Sequence, residues 1–106
     1  MVRSFLTILA ASVIGAPALA QSADPAIGHR LATSVCSACH AVGDDPAAQS
    51  PVAAAPRFVA IGRMPSMNER AITVFLRTSH APMPNIMLSA EERDSVAAYI
   101  LSLGGK

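Results

Sequence analysis

The residues best suited to chemistry are two cysteines that lie three positions apart and are followed at once by a histidine. They are Cys36, Cys39 and His40, and the chain has no other cysteine. Because residues three apart on a helix share one face at about 5 to 6 Å, both thiols can reach the two vinyl groups on one edge of a porphyrin. The histidine can then place a ring nitrogen on the iron. This pattern predicts one covalently attached haem c.

Three other interpretations of the cysteine pair fit the sequence less well. A disulfide between Cys36 and Cys39 would close so short a loop that it would constrain little of the unfolded chain. A thioredoxin-like redox pair is typical of a strand and helix context, and no strand pattern precedes Cys36. A zinc site needs four ligands, and no second pair of cysteines or histidines stands at ligand spacing.

Met83 is the strongest candidate for a second iron ligand, and it lies between Pro82 and Pro84. Two prolines hold a segment extended, which lets a soft thioether project toward iron instead of folding into a helix. Met87 is the nearest rival, but its apolar neighbours predict core packing. His80 is a further rival, although a lone histidine on a turn is usually solvated. A vacant sixth position stays open as an alternative.

The cysteine motif is expected at the end of a first helix over residues 25–38. Asp24 is a typical N-cap and Pro25 suits the first helical position. Gly28 lies inside this helix, where glycine costs about 1 kcal/mol relative to alanine, so a close helix crossing is one explanation for it. Residues 43–56 are rich in Ala, Pro, Asp and Ser and are predicted to form a loop.

Two further helices are predicted from capping boxes, in which a serine is followed three residues later by a glutamate. Ser66 begins the pattern for a helix over 67–78, and Ser89 begins it for a helix over 90–103. The segment 80–88 between them is predicted to be extended. No strand-like alternation occurs, so the fold class is all-α, with three main short helices and long loops wrapped around one haem.

The first twenty residues have the pattern of an export signal. Arg3 precedes an apolar run over 5–16, and Ala-Leu-Ala at 18–20 matches the small residues that signal peptidase recognises. The apolar run is shorter than the roughly 18 to 20 residues that span a bilayer, which favours cleavage over an uncleaved membrane anchor. We therefore expect a cleaved signal peptide at 1–20 and a periplasmic domain at 21–106.

The size and charge of that domain limit its function further. It has 86 residues, a length at which a single core is only marginally stable without an enclosed cofactor. Its seven basic and seven acidic residues cancel, so nothing in the charge favours nucleic acid as a partner.

Several segments resemble one family, the class I cytochromes c of bacteria, and together they cover about residues 24 to 103. In that family a glycine of the first helix faces an aromatic residue of the last helix, which implies contact between Gly28 and Tyr99. The similar segments are the Cys-Ser-Ala-Cys-His motif, Gly28, Ala55-Pro56-Arg57-Phe58, His80-Ala81-Pro82-Met83-Pro84-Asn85 and Ala98-Tyr99-Ile100.

The resemblance also implies roles for residues around the haem. His40 and Met83 match the two axial ligands, and a proline carbonyl is expected to accept the second ring N–H of the histidine. Pro56 is the best match for that proline, and Pro51 is the alternative because the loop spacing departs from the common one. The haem walls are expected to come from apolar side chains, namely Phe58, Phe75, Leu76, Ile86 and Leu101.

A histidine and a methionine on iron leave no open position for a substrate, and methionine favours the ferrous state. We therefore expect a one-electron carrier, a monomer that is not an enzyme and that meets redox proteins of the periplasm or inner membrane. Two alternatives are a haem-based ligand sensor or peroxidase with an open sixth site, and the haem subunit of a periplasmic dehydrogenase complex.

Overall fold

The computed structural model describes residues 11–12, 14–16, 23–78 and 82–106. The predicted signal peptide falls mostly outside the described residues, and His80 falls outside them altogether. The described part of the chain contains no strand, so the all-α prediction is confirmed. No helix in that part is long and apolar enough to cross a membrane. The elements in chain order are α1 (Pro25–Ser34), a 3₁₀ turn (Cys36–Ala38), α2 (Phe58–Arg63), α3 (Glu69–Arg77) and α4 (Ala90–Leu103).

Helix α1 begins as predicted, because the Asp24 carboxylate accepts the Ala26 N–H at 2.8 Å. It ends at Ser34, so the expected α-helix to residue 38 is wrong in its last turn. Thr33, Ser34 and Val35 explain the early end. All three are weak helix formers, and the two hydroxyls bond to backbone carbonyls within the helix.

Helix α2 was not predicted from the sequence. It has six residues and begins directly after the loop, without a side-chain cap at Arg57. Such a short segment contains too little periodicity to be recognised as a helix. The prediction of three helices therefore missed one short helix.

Helix α3 begins at Glu69, two residues later than predicted, because its N-cap is Asn68 and not Ser66. The Asn68 side-chain oxygen accepts the Ala71 N–H at 2.9 Å. The capping box predicted from Ser66 is therefore wrong.

Helix α4 confirms the prediction at both ends. Ser89 Oγ accepts the Glu92 N–H at 3.2 Å, and the Glu92 carboxylate accepts the Ser89 N–H at 2.7 Å. The helix stops at two glycines, and Gly105 adopts a φ of +77°, in the left-handed region that favours glycine.

The core lies where α4 packs against α1, α2 and α3. At the crossing with α1, a methyl group at Gly28 would overlap the Ser95 carbonyl and the Tyr99 Cβ atom. This confirms the expected contact between the first and last helices. The buried cluster consists of Ala32, Phe58, Ile72, Val96, Ala97, Tyr99 and Ile100.

Candidate functional site

The two cysteines lie on a tight turn directly after α1. The Cys36 carbonyl accepts the N–H groups of both Cys39, at 3.1 Å, and His40, at 2.9 Å. Ser37 Oγ donates to the Thr33 carbonyl at 2.5 Å and ties the turn to the end of α1. Both cysteine side chains are half-buried, free thiols. The turn therefore presents two thiols and an imidazole within five consecutive residues.

His40 has its ring oriented by a backbone carbonyl. Nδ1 lies 2.7 Å from the Pro56 oxygen. A carbonyl oxygen can only accept a hydrogen bond, so Nδ1 carries the proton. In the neutral imidazole the other nitrogen, Nε2, then has a lone pair available for a metal. The ring also packs against Phe58, with centroids 5.2 Å apart.

The segment around His40 is held on several sides by other parts of the chain. The loop before α2 binds its backbone, and α4 reaches it through the Tyr99 hydroxyl. This network fixes the backbone from which the imidazole projects. Its hydrogen bonds run from Val52 N–H to the Cys39 carbonyl, from Ala41 N–H to Ser50 Oγ, from Phe58 N–H to the Ala41 carbonyl and from Tyr99 Oη to the Val42 carbonyl.

The surroundings of the cysteines suit covalent attachment better than metal binding by thiolates. Burial raises the pKa of the Cys36 thiol, which favours its neutral form. Among the described residues no three His, Cys, Asp or Glu side chains are grouped so that they could hold a metal ion. Within the part of the chain that the structure describes, the thiol pair therefore has no partners with which to complete a zinc site.

The two methionines before α4 differ in their surroundings. Met83 is half-buried, whereas Met87 is 88% exposed. The prediction that Met87 packs in the core is therefore wrong. Apolar neighbours in an extended segment do not fix which way a side chain faces, and that is why the sequence misled here.

The five apolar residues expected to line the haem have different positions in the polypeptide. Phe58 is buried in the core, and Leu76, Ile86 and Leu101 are half-buried. Phe75 is 55% exposed. Near the cysteine turn, Val35 and Val52 are also exposed. Apolar surface beside two free thiols and an oriented imidazole is what a covalently attached porphyrin requires, so the residues present fit haem c.

Two residues that act on these loops were missed by sequence reasoning. Arg93 Nη1 donates to the Leu88 carbonyl at 2.6 Å. Lys106 Nζ donates to the Met64 carbonyl at 2.6 Å and the Met67 carbonyl at 3.2 Å, between α2 and α3. A charged residue on a helix or at a chain end ordinarily faces solvent, so neither position carried a signal.

Comparisons with known proteins agree with this geometry. The chain matches the family described as cytochrome C oxidase, cbb3-type, subunit III, over residues 23–100. Cytochrome c-552 of Bradyrhizobium diazoefficiens is 36% identical over 101 residues, which cover 95% of this chain and 93% of that protein. No solved structure matches the chain significantly. The chain therefore belongs to this cytochrome c family, as a small c-type cytochrome with one covalently bound haem c that carries electrons.

Proposed function

We propose that the protein is a periplasmic one-electron carrier in which Cys36 and Cys39 attach the haem and His40 and Met83 bind its iron. The observation that carries the proposal is the hydrogen bond from His40 Nδ1 to the Pro56 carbonyl at 2.7 Å. This bond leaves Nε2 as the free ring nitrogen, directly after two free thiols in one turn. When bound, the haem supplies a one-electron couple between ferric and ferrous iron.

The role of His40 follows from its hydrogen-bond partner. The Pro56 carbonyl keeps the proton on Nδ1 and makes Nε2 the stronger donor to iron. Phe58 packs against the ring and limits its rotation. Because the backbone on both sides is also held, the imidazole keeps one orientation in both oxidation states. A ligand that does not move makes electron transfer fast, since little reorganisation accompanies it.

Met83 completes the proposed ligand pair. It is half-buried in an extended segment between two prolines, and it is less exposed than Met87. A thioether is a soft ligand that stabilises ferrous iron and raises the reduction potential. With both axial positions filled, no site stays open for a substrate, so we assign no enzymatic activity.

The partners of such a carrier are redox proteins of the periplasm or inner membrane. Acidic and basic residues are equal in number after residue 20, so the domain offers neither a strong excess charge for nucleic acid nor one for an anionic membrane. We propose that the domain is a monomer, and sedimentation of the holoprotein tests this directly. A concentration-dependent dimer would contradict it.

The first experiment is an absorption spectrum of the oxidised and reduced protein, together with a pyridine haemochrome assay. We expect one haem c per chain, and in the oxidised protein a weak sulfur-to-iron charge-transfer band at the red end of the spectrum. If the wild-type protein lacked this band and bound cyanide readily, the electron-carrier proposal would be wrong, and a haem-based sensor or peroxidase would fit the result instead.

The ligand assignment is tested by Met83→Ala with Met87→Ala as the matched control. Met83→Ala should abolish the charge-transfer band, lower the potential and open iron to cyanide or imidazole, while haem attachment persists. Met87 is exposed, so its loss should change the free energy of unfolding by no more than about 0.5 kcal/mol and leave the band intact. If Met87→Ala abolished the band and Met83→Ala left it intact, Met87 and not Met83 would be the ligand.

Export is the second part of the proposal, with residues 1–20 as a cleaved signal peptide and 21–106 as the mature domain. Members of the family acquire haem outside the cytoplasm, so a chain that lacks residues 1–20 should remain there without haem. The full chain in the same host is the control. Covalent holoprotein recovered from the cytoplasm of the deletion strain would contradict the proposal.

A further inference from the structure

The segment that carries Met83 is not held by the repeating hydrogen bonds of a helix. Pro82 and Pro84 have no N–H to donate, and the segment from Pro82 to Leu88 forms no helix. A ligand on such a segment depends on bonds from other parts of the chain to keep its place. Among the described residues, side chains of α4 form bonds at the end of this segment, to Leu88, and to Ser89 directly after it.

One of these anchors is a charged side chain. Arg93 is half-buried on the first turns of α4, and its guanidinium donates to the Leu88 carbonyl at 2.6 Å. A hydrogen bond with a charged donor is shorter and about twice as strong as a neutral one. It fixes the backbone five residues beyond Met83.

The position of Arg93 is not explained by the stability of α4 itself. A cation near a helix N-terminus opposes the helix dipole, which favours anions at that end. The residues three and four positions away are Ser89, Ala90, Val96 and Ala97, so no acid is placed to form a helical ion pair. The capping box already satisfies this end of the helix. What the arginine does contact is the carbonyl of Leu88.

Helix α4 is also the element best suited to serve as an anchor. It packs against α1, α2 and α3, and its next turn contributes Val96 and Ala97 to the core. A bond from this helix therefore ties the methionine segment to the element that packs against the other three helices.

We propose that Arg93 is a positioning residue that holds the Met83 segment closed over the haem iron. The proposal rests on the proposed ligation by Met83. Arg93 acts through the Leu88 carbonyl and touches neither the iron nor its ligands. Its loss should raise the population in which the thioether has left the iron, and with it the access of outside ligands.

The test is imidazole binding to the oxidised holoprotein, followed by absorption, in Arg93→Met. Removing a hydrogen bond to a charged group should increase the apparent affinity for imidazole about tenfold. Arg93→Lys keeps the charge and one donor, so its affinity should lie between those of wild type and Arg93→Met. Arg30→Met, an exposed arginine on α1, is the matched control and should bind imidazole as wild type does.

Two outcomes would overturn the role of Arg93. In one, Arg93→Met unfolds more easily but binds imidazole like wild type, which would make the residue merely structural. In the other, Arg93→Met and Arg30→Met behave alike in both measurements. If Arg93→Met yields no holoprotein, Arg93→Lys decides the matter, because an affinity equal to wild type would then count against the proposal.

The failure of Met83 ligation gives a different result. Wild type would then bind imidazole as tightly as Met83→Ala does. Amide hydrogen exchange at Met87 and Leu88 still reports on the anchor in that case. If exchange is about tenfold faster in Arg93→Met, the bond to the Leu88 carbonyl holds this segment in place. Unchanged exchange would overturn the proposed role of Arg93.

Discussion

At the scale of single residues, the site depends on backbone carbonyls as much as on the side chains that perform chemistry. The carbonyl of Pro56 orients His40, that of Val42 receives Tyr99, and that of Leu88 receives Arg93. A carbonyl is present at every position of a sequence, so its use leaves no trace in residue types. Cys36 and the histidine four residues later could be predicted from their spacing, whereas two of these three bonds could not.

Tyr99 illustrates a residue whose ring and hydroxyl serve different contacts. The ring packs against Gly28 and stacks on His29, with centroids 4.8 Å apart, while the hydroxyl donates to the Val42 carbonyl. Tyr99→Phe keeps the ring and loses the hydrogen bond. We expect a loss of about 1 kcal/mol in the free energy of unfolding at neutral pH, measured by denaturant titration.

The same variant should alter the pH dependence of stability. Burial, and to a smaller extent the charge of Asp44, raises the pKa of Tyr99 above its usual value of about 10. The unfolded chain then releases this proton at lower pH than the folded chain, so the stability that the neutral phenol contributes is lost as pH rises above about 10. Tyr99→Phe should lack this loss.

The comparison is specific because Tyr99 is the only tyrosine in the chain. Equal slopes of stability against pH above pH 10 in wild type and Tyr99→Phe would contradict the raised pKa.

At the scale of elements, the two predicted capping boxes show that a local sequence pattern does not by itself place the start of a helix. Ser89 and Ser66 are each followed three residues later by a glutamate, yet only Ser89 caps a helix. Asn68 directly precedes α3 and caps it without a glutamate at the third helical position. Asparagine and serine cap equally well, so sequence alone could not decide between them.

A pair of alanine variants distinguishes the two candidates at α3. Asn68→Ala should lower the free energy of unfolding by about 1 kcal/mol, since the Ala71 N–H loses its acceptor. Ser66→Ala should change it by less than about 0.5 kcal/mol, because Ser66 is exposed and outside the helix. Urea titration of the two holoproteins measures both values. A larger effect for Ser66→Ala would support Ser66 and not Asn68 as the cap of α3.

The other departures from prediction share a cause. Both α2 and the 3₁₀ turn of the cysteine motif are shorter than two full turns. Elements of this size are stabilised by contacts with the rest of the chain and not by their own propensity. Ile61, for example, packs against the core while its helix has only six residues. A long helix with a complete cap, such as α4, could be predicted because its own residues carry the signals that stabilise it.

At the scale of the whole molecule, helices cross closely at glycines. Gly28 lies against the backbone of α4 at Ser95, and Gly62 and Gly104 bring α2 against the end of α4. Gly28→Ala should improve helix propensity by about 1 kcal/mol. The added methyl group would nevertheless overlap the Ser95 carbonyl and force the helices apart, with a cost of about 3 kcal/mol. We expect a net destabilisation in denaturant titrations.

Gly43→Ala is the matched control for this variant. A methyl group there would meet no atom within 4 Å, and the φ angle of Gly43 is not positive. Its free energy of unfolding should therefore stay within about 0.5 kcal/mol of wild type. A similar loss at both glycines would show that helix crossing is not what requires glycine at position 28.

The hydrogen bond from the Asp24 N–H to Ser95 Oγ joins residues 71 positions apart. The cysteine turn and the imidazole lie inside the stretch of chain that this contact closes. During synthesis, a nascent polypeptide that lacks α4 has neither Ser95 to receive Asp24 nor Tyr99 to hold the backbone after His40. Chain entropy opposes the closing of so long a stretch until the contacts made by α4 can offset it. We therefore expect the cysteine turn and the imidazole to be held in place only after α4 has been synthesised, so that both thiols stay accessible until then.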